Sequence, residues 1–227
     1  MPGRVLEAQV ERSPPHRQVR GYSGRVPKLP IPDFEASVRE HLESLGFTNH
    51  RSIYSLTLDE GRFGWLGLNR ATQFGVLKVH PNVGVGHQAI RDLVEAGRPS
   101  PPQSARFPMP VVFTPLYTLM GGVYVTWDFH PGEDVEPKVR DLVGAVDRVG
   151  IPFMHRFVTL DDFIGGLQGQ APGSDGDYTL PAALKLAGRL DEAAIELRKG
   201  IEARSGQYGE RAESYRRFAE FLIPGTG

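Results

Sequence analysis

Apolar residues recur at spacings of three and four in some stretches of the chain and alternate in others, and the change of period marks out its elements. Phe34, Val38, Leu42 and Leu45 form one stripe, which predicts a helix opened by Asp33 as N-cap and closed by Gly46. Strand-like runs at 52–58, 63–68 and 74–79, joined by Asp59-Glu60-Gly61-Arg62 and another short link, predict an antiparallel meander. Ile90, Leu93 and Val94 predict a helix over 87–96 that Gly97 stops. After a Pro-rich loop at 98–110, the runs 111–119 and 123–129 flank Met120-Gly121-Gly122 and read as a β-hairpin. Val123, Val125, Trp127 and Phe129 alternate strictly, and Pro115 implies a sheet edge or a bulge. Val139, Leu142, Val143, Val146 and Val149 predict a helix over 135–149 that ends at Gly150, with Glu133, Asp134 and Glu136 near its positive end. Thr159 with Asp162 three residues on predicts a capping box that opens a short helix through Leu167. Beyond a Gly-rich break at 165–176, residues 179–222 read as two or three helices. One apolar set there is Leu184, Leu186, Leu190, Ala194, Leu197 and Ile201; the other is Ala212, Tyr215, Phe218, Ala219 and Leu222. Together these elements predict an α+β fold: an antiparallel sheet of about five strands packed by helices mainly on one face, with a C-terminal helical hairpin.

The pattern divides the chain into an arm at 1–32, an α+β domain at 33–168 and a helical hairpin at 177–223. The arm carries six Arg or Lys residues against two Glu, and six prolines interrupt it. Such a composition predicts a disordered extension, with a tether for nucleic acid or an acidic partner as the functional alternative. The segment 183–193 resembles one helix-turn-helix unit of tetratricopeptide type, but about three units are needed for an array, so a packed helical hairpin is the expectation.

Composition narrows the functions. The 227 residues have a formal net charge of −1, so the whole chain is not a strongly basic nucleic-acid binder. The absence of cysteine excludes disulfides, thiolate nucleophiles and Cys-type zinc sites. No apolar run approaches the roughly 18 residues of a membrane span. Residues 1–10 have no signal-peptide core, and a cytoplasmic location is the expectation.

Candidate chemistry is sparse. Gly84-Val85-Gly86-His87-Gln88-Ala89 fits a dinucleotide-binding G-x-G-x-x-A, but no Asp or Glu occurs from Ala96 to Trp127 to hold a ribose, so no cofactor is expected. His80, His87, Asp128 and His130 could ligate a metal if one of the first two converged on the others. There is no G-x-S-x-G elbow. Asp161 and Asp162 are explained by capping, and Asp175 and Asp177 lie in a loop too poor in ligands for an EF-hand. Phe63 and Trp65 face one way on their strand while Leu66 and Leu68 face the other, so one of the two faces is a candidate partner surface. Phe63, Trp65, Asp128 and His130 are its candidate residues.

Leu45-Gly46-Phe47, the meander to Val79, Trp127, and Ile151-Pro152-Phe153 with Arg156-Phe157 and Leu160 form a sequence of landmarks. It resembles a family of small bacterial α+β domains of unknown function, common in actinobacteria. The tail turn Gly188-Arg189 with Glu192-Ala193 is similar to tails found there. The resemblance spans roughly 33–200, and the basic arm departs from it. It implies no catalytic residues and a non-enzymatic, immunity-like accessory role with a protein partner. Two alternatives stand beside that expectation. One is a metal-dependent hydrolase using Asp128 and His130 with His80 or His87; the other is nucleic-acid binding through residues 1–32.

Overall fold

A computed structural model describes residues 28–59, 61–98, 109–170, 176–205 and 209–226. The fold is α+β, and its centre is a long antiparallel pair. Strand β3 (Arg62–Gln73) pairs with β4 (Val76–His87) in unbroken register from Arg62↔His87 to Gln73↔Val76. Strands β1 (Thr48–His50) and β2 (Ile53–Asp59) extend the sheet beyond β3. Beyond β4, two short strands share one edge: β5 (Val112–Pro115) pairs with 82–85, and β6 (Trp127–Phe129) pairs with 77–79.

This topology bears out the antiparallel meander, lengthens its third strand and corrects the hairpin. The third run does not stop near Val79; it continues to His87, through Pro81. Pro81 lies in the gap between the β6 and β5 pairings, where an interrupted ladder tolerates a residue without an N–H. Phe74 belongs to no strand. With Gly75 it forms the β3–β4 turn at φ of 52° and 74°, and it is 95% exposed. The runs 111–119 and 123–129 do not pair with each other, because each finds β4 instead. Between them Pro115 caps a short helix, α3 (Leu116–Leu119), and Val123 is exposed.

Residues opposite one another across an antiparallel sheet share a face. Tyr54, Leu66, Leu68, Val79, Val83, Val85, Val112, Trp127 and Phe129 lie on one, here the covered face, and all are buried. Helix α1 (Ile31–Ser44) seats Phe34 against Phe129 with ring centroids 4.9 Å apart. It begins at Ile31 rather than Asp33, because Pro32 is pre-organised for a first turn; Asp33 sits inside that turn without capping it. The helix thus starts within the segment read as the arm; residues 1–27 lie outside the described residues, so the arm itself is not described. Gly46 ends the helix at φ 89°.

Helix α4 (Glu136–Ala145) does not stop at Gly150. It runs through a π turn (Val146–Gly150) into α5 (Ile151–His155). A widened turn absorbs the bond that Pro152 cannot donate, so the proline that should break the helix is accommodated. Gly150 also lies close to Val83, where a Cβ would come within 3.2 Å of that side chain. Helix α6 (Leu160–Gln168) opens with the capping box: the Thr159 side chain accepts from the Asp162 N–H, and the Asp162 carboxylate accepts from the Thr159 N–H. Helix α2 (Gln88–Gly97) follows β4.

The C-terminal region forms three helices, α7 (Gly176–Leu186), α8 (Leu190–Glu202) and α9 (Glu210–Leu222), with Gly188 at φ 75° in the first turn. Tyr178 packs on Tyr215 and Phe218, and Gly97 of α2 meets Phe218 and Phe221. The second apolar set is wholly buried; in the first, Leu186 and Leu190 are exposed instead.

Helices α1 and α4 are tied by a carboxylate. Glu136 accepts from the Ser37 hydroxyl at 2.7 Å, from Arg140 Nε at 2.8 Å, and contacts His41 Nε2 at 2.8 Å. The Ser37 hydroxyl first, and then His41, pull its pKa down from 4.5 to about 2. A depressed carboxyl contributes stability above its unfolded value that is lost as pH falls through its folded value. We therefore expect Glu136→Gln to flatten the decline of the urea midpoint between pH 4.5 and about 2. Parallel pH profiles for variant and wild type across that window would sink this account.

Candidate partner-binding face

The other side of the sheet is its open face. Two of its rows hold the aromatics, and a third flanks them. Ser55, Trp65, Gly84 and Phe113 align across β2, β3, β4 and β5. Thr57, Phe63 and Gly86 form the row on one side, and Ile53, Gly67, Asn82 and Pro115 the row on the other. Asn69, His80, Lys78 and Asp128 continue the face toward the β3–β4 turn. Thr57, Asn69, Ala71 and Gln73 are exposed, and Phe113 is 43% exposed.

Glycine shapes this face. The Phe63 ring lies over Gly86, where a Cβ would meet its Cζ at 2.0 Å. The Trp65 ring lies over Gly67, where a Cβ would meet Cη2 at 2.3 Å. Gly84 lets β5 close in, because a Cβ there would stand 2.7 Å from the Val112 carbonyl oxygen. The rings are thereby laid along the sheet instead of standing off it. Arg91 from α2 reaches over Phe63, 5.7 Å from its centroid. Trp65 is only 7% exposed, and its buried indole N–H has no hydrogen-bond partner among the described residues.

The glycines that matched a dinucleotide pattern thus lie within β4, not in a turn that opens a helix. Close packing of sheet and rings accounts for them, and the phosphate-cradling turn the pattern requires is missing.

Of the residues nominated as a partner surface, Phe63, Trp65 and Asp128 share the open face. His130 follows β6 in an exposed turn, where its N–H donates to Glu133 at 2.9 Å. Asp128 accepts from Lys78 and from the Thr126 hydroxyl. Burial pushes its pKa up, but those two hydrogen bonds outweigh burial and hold the carboxyl below its ordinary value.

The possible metal ligands do not gather. His80 and His87 are seven residues apart on one strand, so they fall on opposite faces. His80 stacks on Tyr124, whose hydroxyl lies 2.9 Å from its Nδ1. His87 packs edge-on against Phe163, with burial and then Arg62 depressing its pKa. Among the described residues no group of three or more His, Asp or Glu is placed to hold a metal ion. Of the loop carboxylates, Asp177 pairs with Arg204, and Asp175 lies outside the described residues.

Phe113 was not singled out by its sequence position. The signal was present for Phe113, as an odd-numbered aromatic between Val112 and Thr114, but Pro115 and the supposed hairpin drew attention to a different pairing.

No family model, curated protein or solved structure matches the chain. Among the described residues, no helix is long and apolar enough to cross a membrane.

We expect Gly84→Ala to destabilise the fold more than Gly86→Ala. At Gly84 the new Cβ meets a backbone carbonyl that cannot swing away, whereas at Gly86 it meets the far end of one ring. Overpacking at Gly84 should cost about 1–3 kcal/mol. Urea denaturation of both variants checks the order; equal losses would contradict it.

Proposed function

We propose that this chain is a non-enzymatic, immunity-like accessory protein that binds a protein partner through the open face of its sheet. The observation that carries the reading is the row joining Trp65 to Phe113 across Gly84, flanked by Phe63, on the side of the sheet opposite the core. Aromatic side chains are the residues most enriched at the energetic centre of protein interfaces. Around them Asn69, Asn82, His80 and the Lys78–Asp128 pair make a polar rim.

Nothing in the geometry favours hydrolysis over binding. His80 is engaged by Tyr124 and Asp128 by Lys78, and the Ser37–Glu136–His41 cluster has both Ser37 and His41 on the carboxylate, so the histidine is not placed to activate the serine. Residues 33–227 carry five more acidic than basic side chains, which suits a basic partner and a salt-sensitive association rate.

The test is affinity capture from host lysate with three tagged proteins: wild type, Phe113→Ser on the face, and Phe74→Ser at the exposed β3–β4 turn. We expect one stoichiometric protein with wild type and with Phe74→Ser, and a loss of about tenfold or more with Phe113→Ser. Equal recovery by all three, or no protein at all, would overturn the reading.

A further inference from the structure

Helix α6 packs against the end of the sheet where β3 begins and β4 finishes. Arg62, the first residue of β3, donates to the Phe157 carbonyl just ahead of the helix. His87, the last residue of β4, meets Phe163 of the helix edge-on, with ring centroids 5.2 Å apart. Phe163, Ile164 and Leu167 are buried. Gly166 lets the helix approach β5, because a Cβ there would stand 3.1 Å from the Val112 side chain and 2.6 Å from the Phe157 ring. Just past the helix, the Gln170 side chain donates to the Phe113 carbonyl at 3.3 Å. The segment 157–170 therefore straps down β5 beside the aromatic row.

The histidine under this strap fits its site only when neutral. Its Nδ1 is buried and has no hydrogen-bond partner among the described residues. A proton there would be a donor without an acceptor, on a charged ring against an apolar one. The charged neighbours offer it no compensation. Arg62 stands opposite His87 across the sheet and repels a second cation, while Asp59 is already paired with Arg62. On α6, Asp162 accepts from the Val158 and Thr159 N–H groups and also faces Arg62, and Asp161 pairs with Arg189. On α2, Asp92 accepts from Gln88, and Arg91 pairs with Glu95. Burial first, and then Arg62, hold the imidazole below its ordinary value, against the weaker pull of Asp59 and of the residue's own backbone. A histidine lowered in this way costs nothing above its unfolded value of 6.5. As pH falls below that value, any state that releases the ring gains on the closed one, until the ring is protonated in place.

We propose that α6 is a pH-sensitive strap: protonation of His87 unseats Phe163 and raises the fraction of molecules in which α6 is open and the Phe113 carbonyl is free. The three buried side chains keep the open state a minor one, so the device shifts a population and leaves the rest of the fold in place. It stands on the packing of α6 and is independent of what binds the open face.

The test is hydrogen exchange of the full chain between about pH 8 and about pH 5, corrected for intrinsic rates, with residues 160–168 as the readout. Because opening takes up one proton, we expect the open fraction of α6 to rise up to about tenfold per pH unit below 6.5, while the β3 and β4 amides keep their protection. The rise should level off where NMR of the wild-type His87 ring shows it protonated in the folded chain. His87→Gln, neutral throughout, should abolish the rise; His155→Gln, at the exposed end of α5, should preserve it. Opening that does not vary with pH, a rise that survives His87→Gln or vanishes with His155→Gln, or an equal loss of protection in β3 and β4 would overturn the proposal. Should His87→Gln not fold, the wild-type curve decides: a rise that continues past the titration of the His87 ring sinks the strap.

Discussion

The twelve-residue pairing of β3 with β4 is the constraint on which the other elements depend. It supplies β2 with its partner on one side and gives β5 and β6 a common edge on the other. Because side chains alternate along both strands, it also divides the sheet into two faces of different character. Val79, Val83 and Val85 of β4 are fully buried beneath the helices, while His80, Asn82 and Gly84 between them belong to the opposite face. A slip of one residue in this register would exchange the two sets and destroy the core.

How much could be read from the chain follows from the range of the interactions. The capping box at Thr159 and the left-handed stop at Gly46 are encoded within a few residues, and both are legible. So is the sidedness of Phe63 and Trp65 against Leu66 and Leu68, because a period of two survives any choice of partner. Strand partners are less legible. Met120-Gly121-Gly122 between two alternating runs satisfies every local rule for a hairpin, yet the available edge of β4 lies elsewhere in the chain and takes both runs. Pro81 and Gly150 mislead for a related reason. Each has the local character of a stop, and each sits where tertiary neighbours supply an alternative: a gap in the ladder for one, a π turn for the other.

The open-face aromatics show the same limit at a candidate site. Phe63 and Trp65 lie two residues apart on one strand, so their shared side is legible, whereas Phe113 joins them only through the pairing of β5 with β4.

The bare backbone beneath Phe63 and Trp65 has a thermodynamic consequence. A ring seated over a glycine in the folded chain has already given up most of its rotational freedom, and that entropy is charged to folding. A ligand reaching this face would find a surface close to its bound form and would have little side-chain motion left to quench. For any ligand bound there, substituting either glycine would weaken association without removing a single atom of the contact.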